Sequence, residues 1–227
     1  MSPIPRRDGP PHEVNGQVMH RLVNRSMLES VFPPRRIVRV KEEGIPACLH
    51  ESARAILMGV GLPDDRASFF LVDGALFEGE TPNRFRRCAE LRYSSDYENM
   101  PNGWENWLVI GSIFYDCVAL DPVSGMVYCL PDGEYGAHPL NQSLDSFVYF
   151  IYLLEVERPN YDFTVSDEIP DSEGVAMSLR ERMAQVDPLP FEGVEPAWSE
   201  GFDWEAEDAP RMPAWDVVLS NVYESIG

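Results

Sequence analysis

The sequence predicts a mixed fold of helices and antiparallel strands, and three features of its central part predict it. Leu108–Leu120 and Met126–Leu130 are rich in β-branched and aromatic residues, which suit a pleated, half-buried surface. The residues between them, Asp121-Pro122-Val123-Ser124-Gly125, carry hairpin-turn chemistry. After a short polar connection, Ser143 is placed to cap a helix in which Leu144, Phe147, Val148, Ile151 and Leu154 recur at helical spacing, while Phe150 and Leu153 make the other side apolar too. A tight turn selects antiparallel pairing over a βαβ crossover, and a helix apolar on two sides needs cover from several elements.

The remaining elements follow from local signals. Residues 1–12 are rich in Pro, Arg and Gly and are expected to form a disordered extension. Glu13–Val31 favours a helix carrying Met19, Leu22, Val23 and Met27, closed by Pro33-Pro34. Arg36–Val40 alternates and suits a short strand. Pro46 can start a helix that carries Leu49, Ala53, Ile56 and Leu57 and stops at Gly59 and Gly61. Phe69–Val72 and Cys88–Tyr93 read as strands, and Asn102-Gly103 marks a turn. Beyond the central block two helices are expected. One is capped by Ser172 and carries Val175, Leu179, Met183 and Val186; the other runs from Pro213 with Trp215, Val218, Leu219, Val222 and Tyr223 on one face. Between them Phe191–Asp208 reads as an acid-aromatic loop, whose two readings are a docking strip and, as the commoner outcome, a linker folded back on the core by Trp198 and Trp204. The expected organisation is a disordered extension over 1–12, a domain over 13–190, and an acidic extension with a terminal helix over 191–227.

Composition bounds the function. The 44% apolar and 11% aromatic content of the 227 residues supports a real core. The net charge of -20 is concentrated late in the chain, where residues 155–227 hold 18 acidic and 4 basic side chains. Such a field repels a phosphate backbone, so direct nucleic-acid binding is disfavoured, and attracts a basic protein partner. The basic start lacks an apolar stretch of signal type, and the longest apolar run, Phe147–Leu154, is far too short to span a bilayer. A soluble cytoplasmic protein without membrane association is expected, with Cys48, Cys88, Cys117 and Cys129 as thiols.

Sites for chemistry are sparse. Cys48 and His50 lie two apart, but no C-x-x-C pair exists and the other cysteines lack zinc spacing, so no metal is expected. If Leu120 pairs with Met126, Cys117 and Cys129 stand opposite each other as small sheet neighbours. A nucleophilic pair of Cys117 with His138 would need a cationic surrounding, which Asp116, Asp132 and Glu134 do not supply. Lys41 is the only lysine, and no Gly-rich phosphate loop is present, so no cofactor is expected. Arg84, Arg86 and Arg87 form a basic cluster that can hold a phosphate or pair with the acidic tail, and the tail is preferred because an intramolecular partner is always present.

Three features in order then carry a resemblance: the helix ending in Gly59-Val60-Gly61-Leu62-Pro63, the hairpin IGSIFYDCVALDPVSGMVYCLP with Gly111, Asp121 and Gly125, and the LNQSLDSFVYFI helix led by Asn141. Together they resemble the SUKH superfamily of bacterial immunity proteins, most of all its fourth subfamily, over roughly residues 28–190. The resemblance implies an α+β fold with a central antiparallel sheet and helices packed around it. It also implies a binding scaffold that is not an enzyme, whose partner is a cognate polymorphic toxin such as a nuclease or nucleic-acid deaminase. Bacterial nucleases tend to have basic clefts, which an acidic surface can occlude by standing in for phosphates. Asp64, Asp65, Asp116, Asp132, Glu134 and Tyr135, at element ends beside the hairpin, are the expected contact residues. Gly61, Leu62, Pro63, Gly111, Asp121, Gly125 and Asn141 are read as structural, with the glycines and proline in turns and the asparagine at the helix entry. The rival readings are a small hydrolase using Cys117 and His138 or paired carboxylates, and a regulatory adaptor with no toxin.

Overall fold

Eight strands and five helices alternate in long blocks in the computed structural model, which describes residues 21–64, 69–77, 84–92, 94, 97–131, 136–169, 171–196, 198 and 212–224. The strands are β1 (Ile37–Val38), β2 (Leu62–Pro63), β3 (Phe70–Val72), β4 (Arg86–Arg87), β5 (Leu108–Ile113), β6 (Asp116–Leu120), β7 (Val127–Leu130) and β8 (His138–Asn141). The helices are α1 (Arg25–Val31), α2 (Glu51–Ala55, continued by a π turn over Ile56–Val60), α3 (Leu144–Glu157), α4 (Ser172–Val186) and α5 (Ala214–Tyr223). Every strand pair is antiparallel: β1 pairs with β2, and the main sheet runs β3-β5-β6-β7-β8 with β4 also on β5. The fold is therefore α+β, as the resemblance implied.

The sheet is covered on both faces. Ile110, Ile113, Val118, Leu120, Val127, Cys129 and Leu140 join the main core, to which α3 contributes Leu144, Phe147, Val148, Phe150, Ile151, Leu153 and Leu154. The two-sided apolar pattern of α3 is met by Phe70 edge-on to Phe147 at 5.0 Å and by Trp215 of α5 edge-on to Phe150 at 5.4 Å. On the opposite face Val109, Ala119 and Leu130 pack with Cys88 and Trp107, whose ring stacks on Tyr128 at 4.0 Å. Alternation along each strand thus serves two apolar layers. α5 belongs to the main core, with Trp215, Val218, Leu219 and Val222 fully buried.

Several expectations are corrected. Leu108–Leu120 is two strands, because the chain reverses at Phe114-Tyr115, leaving Ile113 paired with Asp116. The following turn closes with Asp121 N donating to Met126 O at 2.9 Å, so Leu120 pairs with Val127 rather than Met126. A one-residue slip exchanges the faces of a strand: Cys117 now opposes Leu130 and Cys129 opposes Val118, which puts the two thiols on opposite sides of the sheet. The polar connection before α3 contains β8, an edge strand that tolerates Pro139 because only one side needs partners. Cys88–Glu90 is a 3₁₀ turn following β4, not a strand. Helix α2 starts after His50, five residues later than the Pro46 start. Asp171, not Ser172, caps α4, accepting from Gly174 N at 2.8 Å. At the start, Asn24 caps α1 by accepting from Met27 N at 3.0 Å; residues 1–12, where disorder is expected, residues 13–20, where the helix is expected to begin, and Trp204 lie outside the described residues.

Candidate partner-binding site

The polar residues of the core divide into structural junctions and an open end. The largest junction joins β8, α3, α4 and α5. Asn141 is fully buried; its amide donates to Asp187 Oδ2 at 3.1 Å, and its carbonyl oxygen accepts from Trp215 Nε1 at 3.0 Å. Asp187 Oδ2 also accepts from Ser146 Oγ at 2.6 Å and Gln142 N at 2.8 Å. Asn141 therefore ends β8 and links four elements, while entry into α3 is capped by Ser143, whose Oγ accepts from Ser146 N at 3.2 Å. A buried network of this kind is stable only when fully satisfied. A second junction joins α4 to α5: Arg180 Nε donates to Asp216 Oδ1 at 3.3 Å, and its NH2 group donates to Val194 O at 2.7 Å. Burial pushes the Asp216 carboxyl up to about 6, against the opposing pull of Arg180.

The residues singled out as structural occupy special backbone positions. Gly61 has φ +97°, and a Cβ there would lie 2.6 Å from the Ile37 side chain. A Cβ on Gly111 would lie 2.2 Å from Leu71 O and 2.5 Å from the Phe70 ring, so only glycine lets β3 approach β5 here. Gly125 has φ +79° in a turn where Asp121 accepts from Val123 N at 2.9 Å and from Ser124 Oγ at 2.6 Å. Leu62 and Pro63 form β2, both buried.

Of the expected contact residues, Asp64 and Asp116 fall among the described residues. Asp64 is only 7% exposed; it accepts from Val72 N at 3.1 Å and faces Arg36 at 3.7 Å, so it is removed from the surface by its role in joining β2 to β3. Asp116 is half-buried at the start of β6, with the Cys129 thiol donating to it at 3.7 Å. Asp65, Asp132, Glu134 and Tyr135 lie outside the described residues. In the arginine cluster, Arg84 pairs with Glu90 at 2.6 Å and Arg86 with the buried Asp73; residues 199–211 of the acidic tail lie outside the described residues.

Chemistry by the proposed cysteine pair is not assembled. Cys117 lies on the Cys88 side of the sheet, whereas His138 pairs across with Cys129 on the other, so Cys117 and His138 are separated by the sheet itself. The Cys88 thiol is pushed up by its hydrogen bond with Cys117 and by burial, the reverse of what an activated nucleophile needs. Among the described residues, no group of three or more His, Cys, Asp or Glu side chains converges as metal ligands, and no helix is long and apolar enough to cross a membrane.

An open end remains at the β5–β6 turn, which sequence reasoning missed. Tyr115 is 90% exposed and Phe114 42%, and Phe114 adopts φ +51°. The Phe114 ring meets Phe69 edge-on at 5.8 Å, and Phe69 stacks on Tyr161 at 6.4 Å. Beside this turn a groove of about 720 Å³ is bounded by Phe114, Tyr115 and Asp116 and, across from them, by Met212 and residues of α5. The missing sequence signal is turn chemistry: neither Phe nor Tyr marks a two-residue hairpin loop.

The model of the SUKH-4 immunity protein family matches residues 23–204. The chain belongs to that family. Comparison with curated proteins found no match, and neither did comparison with solved structures. Membership makes the chain an immunity protein whose role is toxin neutralisation. The match extends past residue 190 into the segment that contains Trp198, whose ring stacks on Tyr223 of α5 at 5.2 Å.

Proposed function

We propose that this SUKH-4 immunity protein holds a cognate polymorphic toxin, a nuclease or a nucleic-acid deaminase, inactive by covering its basic substrate cleft. It acts in the cytoplasm of the producing bacterium and catalyses no reaction. The observation that carries this reading is the net charge of -20 on a chain of 227 residues, taken with the family's immunity role. An acidic surface of that strength steers a basic partner and competes with phosphate for the same cleft. In this reading Asp116, Asp132 and Glu134 are among the acids that meet the toxin, and aromatic anchors supply the affinity that screened charges do not.

Co-expression with the toxin encoded beside this chain tests the reading. Cells survive, the purified proteins associate, and association slows as salt rises; a pair that does not associate at low salt overturns it. Purified protein that turned over a substrate would overturn the non-catalytic part.

A further inference from the structure

We propose that the groove between the β5–β6 turn and α5 is the toxin-docking face, and that it takes a lysine or arginine side chain of the toxin between Tyr115 and α5. The proposal rests on the immunity reading and adds the place and the chemistry of the contact.

The groove has the two characters that such a side chain has. Its apolar lining comes from Phe114, Met212 and Val217, against which a methylene stem packs. Its charged lining is acidic, Asp116 on one side and Glu224 on the other, and among the described residues no basic side chain lines it. A cationic head is therefore drawn in, and the exposed face of Tyr115 adds a cation–π partner at the mouth. At about 720 Å³ the space exceeds one side chain, so flanking backbone of the partner also fits.

The turn itself argues for a selected surface. Phe114 holds a left-handed φ of +51° that an aromatic residue rarely adopts, where Asn or Gly would be at ease. The chain keeps two aromatic rings at the tip despite that strain. The other large exposed apolar side chains, such as Val123 and Met177, are not among the residues that line the groove.

Isothermal titration of the purified toxin domain encoded beside this chain, against the full-length protein and four variants, tests the proposal. Tyr115→Ala weakens binding by about tenfold or more, as expected of an aromatic anchor. Phe114→Asn removes the ring while keeping a residue that accepts the left-handed turn, so it weakens binding with the fold intact by circular dichroism. Glu224→Gln flattens the salt dependence, and the control Val123→Ala changes nothing. Wild-type binding that Tyr115→Ala and Phe114→Asn leave unchanged overturns the docking face while the immunity reading stands; absence of wild-type binding overturns both. A Tyr115→Ala change that dissolves a homodimer, or lowers the melting temperature with toxin affinity intact, gives the groove to a second copy or to residues 201–211 and also overturns it.

Discussion

The two turns of the β5–β6–β7 meander solve one geometric problem with opposite residues. The β6–β7 turn reverses with Asp121, Ser124 and Gly125: the carboxylate accepts two local hydrogen bonds, and glycine takes the left-handed position at φ +79°. The β5–β6 turn reverses with Phe114 and Tyr115, places a benzyl side chain at φ +51°, and leaves Tyr115 90% exposed. The first turn is optimised for folding. The second accepts strain in order to present rings, and strain retained at an exposed site is where function is expected.

The comparison breaks most severely if β5, the strand that leads into the aromatic turn, is disturbed. Gly111→Ala places a Cβ 2.2 Å from Leu71 O; the variant is expected to lose about 3 kcal/mol in chemical denaturation, since neither β3 backbone nor the Phe70 ring can move away cheaply. Next in size is a pH effect that fixes the opposite wall of the groove. Asp216 titrates at about 6 in the folded protein against an ordinary value of 3.8. The folded state binds more protons than the unfolded state between those values, so this group's contribution to stability is lost as pH rises through that window. Asp216→Asn removes the dependence: the wild-type stability relative to the variant should fall by about 2–3 kcal/mol between pH 4 and pH 7, read from melts of both proteins.

Smaller effects separate the two turns directly. Gly125→Ala forces a left-handed alanine with its Cβ 3.0 Å from the His50 ring, costing about 1–2 kcal/mol in the same assay. Phe114→Gly relieves the positive φ but forfeits the edge contact on Phe69. These oppose each other, and the net change should stay within about 1 kcal/mol. A Phe114→Gly loss larger than that of Gly125→Ala would show that the aromatic turn is itself a folding element.

What could be read from the residues follows the same division. The helix from Leu144, the turn at Asp121–Gly125 and the apolar face of α5 were legible because period and turn chemistry are local signals. The β5–β6 reversal was not, because its two residues are ones that strands favour, and an unbroken run from Leu108 to Leu120 satisfies the same pattern. β8 was hidden by Pro139 and by its position at the sheet edge. The register of β6 on β7 missed by one because Asp121 N pairs with Met126 O. For the site, acidity was legible as composition, but burial was not: Asp64 is engaged by Val72 N, a long-range fact that no spacing rule carries. Asn141 was legible as important, yet its partners Asp187 and Trp215 come from distant parts of the chain.

The most direct measurement is toxin affinity set against melting temperature for Gly125→Ala and Tyr115→Ala side by side. If the β5–β6 turn is the docking face, Gly125→Ala melts earlier and binds like the wild type, while Tyr115→Ala melts like the wild type and binds about tenfold more weakly or worse. A Tyr115→Ala protein that binds with undiminished affinity, or affinities that follow melting temperature across both turns, would contradict it.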